Sequence, residues 1–233
     1  CKMGKRCRDT TRWVLVRAAA KDKRTRVRQG GRKSPQTKLE CAALDLKTHG
    51  VVGDVPSLLG SFLGGWFCRR IEDHNDYRTT GHTGRFEACT PDRAVSLVTE
   101  ATYSMLRAKL PGIKISDGDL GENLLVSGPA LEEGVDLRVG SRLKLGTAEI
   151  ELTEANKPCY RLGFLPWARD AQKLYGETWW THPELPLDHE THPGGRGWLA
   201  KVVVEGKTKK GDEVINVSHS SSSKKRARAK KSR

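Results

Sequence analysis

The chain has 233 residues, 36% of them hydrophobic, 6% aromatic and 30% charged, with a formal net charge of +14. That length holds one core of good size, or a large core with a small satellite. Residues 1–38 carry fourteen Lys or Arg against Asp9 and Asp22, about +12, and 218–233 carry seven with no acid, which leaves 39–217 at about −5. A domain that grips nucleic acid through its folded surface carries its basic patch on that surface, and here the basicity lies in the two ends.

Residues 1–38 read as a basic, flexible N-terminal segment. The sequence begins at Cys1 rather than Met, and its Arg-rich, acid-poor start is compatible with the remnant of an organellar transit peptide. The six cysteines, at 1, 7, 41, 68, 89 and 159, form no CxxC pair, which argues against a zinc ribbon or a disulfide framework. No run reaches the roughly 18 apolar residues of a membrane span. The nearest, VPSLLGSFLGGWF at 55–67, is short and broken by Gly and Pro.

LECAALDLKTHGVVGD, 39–54, predicts strand, turn and strand, with Gly50 and Gly53 as punctuation. Residues 55–90 then read as an irregular insertion. RAVSLV, 93–98, leans towards strand, and Thr99 stands as N-cap of a helix from Glu100 to Leu110 that Pro111 and Gly112 end. A helix starting at Thr90 and Pro91 is the competing reading. GDLGENLL, 118–125, is either a plain turn or an anion-binding one, with Gly118 and Gly121 exposing N–H groups and Glu122 and Asn123 supplying a carboxylate and an amide.

The clearest element is a hairpin. Leu143 and Leu145 alternate with Arg142 and Lys144, Gly146 and Thr147 turn, and Ala148, Ile150 and Leu152 alternate with Glu149, Glu151 and Thr153. Its second strand ends near Thr153, so EANKPC is a rim loop that delivers Cys159. Pro158 fixes the backbone before the thiol, and Lys157 and Arg161 bring positive charge to it. Nearby cations favour the thiolate, which attacks electrophiles and ligates soft metals, whereas a lone cysteine is more often buried and inert. Both readings stand on the residues alone.

WARDAQKLYGETWW, 167–180, predicts a helix or ordered loop. RGWLAKVVVEGKTKKGDEVINV, 196–217, predicts two strands. His182, His189 and His192 match no helical zinc motif. No GxSxG, Walker loop or GxGxxG at a strand-to-helix junction is present. The tail, 218–233, is a solvated, disordered extension whose Lys/Arg cluster suits a nuclear address, a loose contact with nucleic acid or another polyanion, or no dedicated role. The fold class is α+β and strand-rich, with barrel cadence and no βαβ alternation.

GENLLVSG, then LRVGSRLKLGTAEIELTEANKPCYRL, then RGWLAKVVVEGKTKKGDEV resemble, in order and spacing, the MOSC domain, the module that ends molybdenum cofactor sulfurases and also stands alone. LDLKTHGVVGD and DRAVSLVTEA resemble the earlier family blocks. The resemblance covers 39–217 and is of the stand-alone bacterial type. It implies a MOSC-like β-barrel with a few peripheral helices, a pterin-based molybdenum cofactor, and Cys159 as the residue that holds molybdenum or carries sulfur. Glu122, Asn123, Lys157 and Arg161 would shape or charge the pocket, together with Arg93. In the family a histidine closely follows the Gly-Asp pair; here Gly53-Asp54 runs into Pro56, and His82 in GHTGR is the candidate for an equivalent group.

The activity implied is reductive cleavage of N–O bonds in N-hydroxylated compounds. A separate electron-donor protein is expected, because no flavin, haem or iron–sulfur motif is visible. A cofactor carrier or sulfur-transfer role is the first alternative, although the chain has no room for the pyridoxal-phosphate domain of the sulfurases. A non-enzymatic protein that binds nucleic acid or another polyanion through its basic ends is the second.

Overall fold

A computed structural model describes residues 13–20, 28–29, 32–33, 38–56, 68–74, 91–127, 137–185, 187–190 and 192–217. In chain order the strands before the first helix are β1 (Trp13–Ala20), β2 (Arg28–Gln29), β3 (Arg32–Lys33), β4 (Leu39–Glu40), β5 (Ala43–Lys47), β6 (Gly50–Pro56), β7 (Cys68–His74) and β8 (Val95–Thr99). Helix α1 (Glu100–Lys109) leads to β9 (Leu124–Ser127), β10 (Arg142–Leu145) and β11 (Ala148–Ala155). After α2 (Ala168–Tyr175) come β12 (Trp198–Val204), β13 (Gly206–Thr208) and β14 (Glu213–Asn216). Short 3-10 turns span Pro91–Arg93, Tyr160–Phe164 and Trp179–Thr181.

The large sheet runs β14-β10-β11-β12-β8-β9-β1-β4, and β14 also pairs with β1, so seven strands close on themselves. A second sheet runs β13-β5-β6-β7. Closure removes the exposed edges of those seven strands. The expected strand-rich barrel is therefore the architecture observed. Strands and helices do not alternate along the chain, as expected, and the one parallel pair among the described strands is β8 with β9, joined through α1.

Burial follows the pleat. On β11 Ala148, Ile150 and Leu152 lie inside the barrel, while Glu151 points outward between Arg142 Nε at 2.9 Å and Lys201 Nζ at 2.8 Å. These cross-strand partners hold the Glu151 carboxyl below its usual range. β8 and β9 are covered on both faces, which is why their text is nearly all apolar. Val95, Leu97, Leu124 and Val126 face the barrel core, whereas Val98 and Leu125 face a second core built from Tyr103, Leu106, Leu162, Trp167 and Trp179.

Three stretches correct the reading of the sequence. Residues 13–20, placed there in a flexible basic segment, form a barrel strand with Trp13, Leu15, Ala18 and Ala19 buried. WVLVRAAA is apolar enough to bury, but the surrounding lysines and arginines mask it. Within 55–90, read as irregular, β7 pairs antiparallel with β6 from Gly50↔His74 to Pro56↔Cys68. The C-terminal stretch gives three strands, because Gly206 allows β13 to leave the barrel and join β5: a Cβ there would sit 2.6 Å from the Thr147 backbone.

Candidate functional site

β11 carries the chain to the site. It continues to Ala155 rather than stopping at Thr153, because its register with β12 slips between Leu152 and Glu154. The slip leaves Thr153 as the extra residue of a bulge, and such a bulge re-aims a strand at its end. Thr153 Oγ1 lies 2.5 Å from Asp92 O and 3.0 Å from Leu199 O. Beyond it, 156–159 is irregular, and Cys159 stands in extended backbone as N-cap of the 3-10 turn, its carbonyl accepting from Leu162 N–H at 2.9 Å. The thiol is free and partly buried, and Lys157 and Arg161 are exposed beside it.

Under this loop lies a cation that the sequence reading missed. Arg196, in the Gly-rich turn before β12, is only 7% exposed. Its Nη1 donates to Asn156 Oδ1 at 2.9 Å and to the Lys157 carbonyl. The loop is tied from the other side by Asn156 N–H to Gly197 O at 2.9 Å, while Thr102 Oγ1 of α1 donates to Gly195 O at 2.9 Å. Burial pulls the Arg196 guanidinium below its ordinary pKa; Cys159 and Tyr103 oppose that shift and Arg161 adds to it. An arginine between glycines carries no periodic signal. The available clue was Gly197, whose φ of +90° and 2.2 Å approach of a built Cβ to Leu97 O demand glycine there.

The remaining expected site residues divide. Arg93 is held in a two-pronged pair with Glu154, Nη2 to Oε2 at 2.9 Å, at the foot of the same loop. Asn123 ties the sheet together: its Oδ1 accepts from Ser96 N–H at 3.0 Å and from Ser96 Oγ at 2.9 Å, and its Nδ2 donates to Ala19 O at 3.0 Å. Glu122 is 1% exposed and takes a 2.9 Å bond from Tyr103 Oη. That phenol oxygen accepts from Gly118 and Leu120 N–H at 2.9 and 3.1 Å. Arg17 Nη1 lies 3.7 Å from Glu122 Oε1. Burial pushes the Glu122 carboxyl up, opposed by backbone hydrogen bonding, Arg17, Tyr103 and Lys38. The GDLGEN turn is thus fastened to α1 through the Tyr103 hydroxyl. His82 lies outside the described residues, and among those residues no group of three or more His, Cys, Asp or Glu is placed to hold a metal.

The fold and the site define a small closed-barrel protein of the α+β class, with a thiol and two exposed cations on the rim and a buried cation below them. The MOSC domain model matches residues 76–215, and the chain belongs to that family, a molybdenum cofactor-binding family. Similar solved structures include a hypothetical protein, with 19% identity, TM-score 0.50 and coverage of 91% of this chain and 70% of that one. The YuaD protein from Bacillus subtilis has 19% identity, TM-score 0.49 and coverage of 87% and 94%. YiiM from Geobacillus stearothermophilus has 16% identity, TM-score 0.45 and coverage of 89% and 73%. A search of curated proteins found no match.

The donor set fits the family's cofactor. A thiolate suits molybdenum as a soft ligand, and Lys157, Arg161 and Arg196 suit an anionic pterin phosphate. The buried Nε of Arg196 has no partner among the described residues, as expected of a donor kept for a bound group.

Proposed function

We propose that this protein is a molybdenum cofactor-dependent reductase of N-hydroxylated compounds. Cys159 would hold the metal, and Lys157 and Arg161 would neutralise the cofactor's negative charge. The cofactor supplies two-electron redox chemistry. Arg93 with Glu154, Asn123 with Ser96, and Glu122 with Tyr103 would fix the frame that keeps the loop in place. The observation that carries this reading is the free, partly buried thiol on a rim loop that a buried guanidinium holds at the Lys157 carbonyl.

The overall change is R–NH–OH + 2 e⁻ + 2 H⁺ → R–NH₂ + H₂O: the N–O bond breaks, the nitrogen is reduced and the oxygen leaves as water. Both electrons come from a separate donor protein. The test is anaerobic consumption of a simple N-hydroxylated amidine by protein from a cofactor-producing host, with reduced methyl viologen as artificial donor. Amidine formation that disappears in Cys159→Ala is expected. Equal turnover by both proteins would remove Cys159 from the reaction.

A further inference from the structure

Arg196 is a buried cation with no described carboxylate to answer it. Among the described residues its bonds go to two neutral oxygens, Asn156 Oδ1 and Lys157 O, and its Nε–H is buried without a partner. A buried guanidinium left in that state is costly, and a buried orphan donor marks a place where something else binds. Both oxygens belong to the loop that carries Cys159, so an anion that answers the guanidinium is sought at the thiol of that loop.

We infer that Arg196 is the positioning residue of the Cys159 loop and that its uncommitted N–H is reserved for the negatively charged ligand that Cys159 binds. Two features of the fold put it there. Gly197, with φ +90°, lets the turn lie against Leu97 and Val98 of β8. Asn156 N–H to Gly197 O then brings the start of the loop directly over the arginine. The guanidinium grips the backbone one residue before Pro158 and the side chain one residue earlier. With Pro158 stiff, little freedom is left between that grip and the thiol. The exposed Lys157 and Arg161 are screened by solvent, whereas Arg196 acts where screening is weak. The ligand half of this inference rests on the cofactor reading above; the positioning half does not.

The test uses full-length protein in two forms, from a cofactor-deficient host and from a cofactor-producing one, as wild type, Arg196→Met, Arg196→Lys and, as a barrel control, Arg142→Met. In the cofactor-free proteins, amide exchange over 156–162 rises by about tenfold in both Arg196 variants while 142–152 is unchanged. In the loaded proteins, molybdenum per chain falls by about tenfold in Arg196→Met. Arg196→Lys, which keeps a cation without the fork, recovers part of the metal but not the protected loop. Arg142→Met changes neither.

Wild-type exchange over 156–162 in Arg196→Met overturns the positioning role, and a loosened loop with full molybdenum overturns the role towards the ligand. Should Arg196→Met fail to fold, Asn156→Ala removes one acceptor and leaves the guanidinium in place; an unloosened loop in that variant overturns the positioning role. A wild type without molybdenum refutes the cofactor reading, and the exchange data still decide the positioning role.

Discussion

Tyr103→Phe removes one buried oxygen that makes three hydrogen bonds to the described residues. That oxygen uses all the capacity of a phenol: it donates to Glu122 Oε2 and accepts from Gly118 and Leu120 N–H. Deleting it leaves two backbone donors and one carboxyl oxygen without that partner, beside a residue that is 0% exposed. At about 1–2 kcal/mol for each buried group left unpaired, the loss is roughly 3–6 kcal/mol. For a chain of this size that lowers Tm by on the order of 10 °C. Urea unfolding followed by tryptophan fluorescence measures the loss. The double variant Tyr103→Phe/Glu122→Ala should be more stable than the sum of the single losses predicts, because both remove the same bond. A Tyr103→Phe protein within about 1 kcal/mol of wild type would refute the argument that this hydroxyl fastens the GDLGEN turn.

Glu122 gives a pH dependence of unusual sign for a carboxylate. Its folded pKa is raised by burial, so between the ordinary carboxylate value and the raised one the folded state holds more protons than the unfolded state. Stability is therefore lost as pH rises through that window. Unfolding measured from pH 4 to 8 should show Glu122→Gln gaining on wild type as pH rises, and a constant difference would contradict it. Gly197→Ala puts a methyl 2.2 Å from Leu97 O at φ +90°. It should cost about 3 kcal/mol or more, read as a fall in urea midpoint, and a near-neutral effect would show that the turn can shift without strain.

The hairpin of β10 and β11 was legible because alternation and a glycine turn state the same thing twice: Arg142 and Lys144 are exposed, Leu143 and Leu145 are buried, and Gly146 has φ +56°. Thr99 before Glu100 also marked the helix start, although its side chain makes no cap bond. β1 was not legible. Its eight residues sit within a segment of about +12, and net charge averaged over 1–38 conceals a strand whose Arg17 serves the interior beside Glu122. β7 reads CRRIEDH, text without the apolar alternation that announces a half-buried strand, and its pairing with β6 defines it. Cys159 was ambiguous by spacing and became a candidate ligand through the ordered family blocks. Arg196 was invisible to both approaches, since its role arises from three segments brought together: α1, the β11 loop and the turn before β12.

Whether Cys159 holds the cofactor decides the function proposed for the protein. Wild-type protein and Cys159→Ala, both purified from a cofactor-producing host, should be compared by elemental analysis for molybdenum and by fluorescence of the released pterin. Molybdenum and pterin together in wild type, and the loss of both in an equally folded Cys159→Ala, are the expected results. Equal molybdenum in the two proteins, or none in either, would contradict the proposed function.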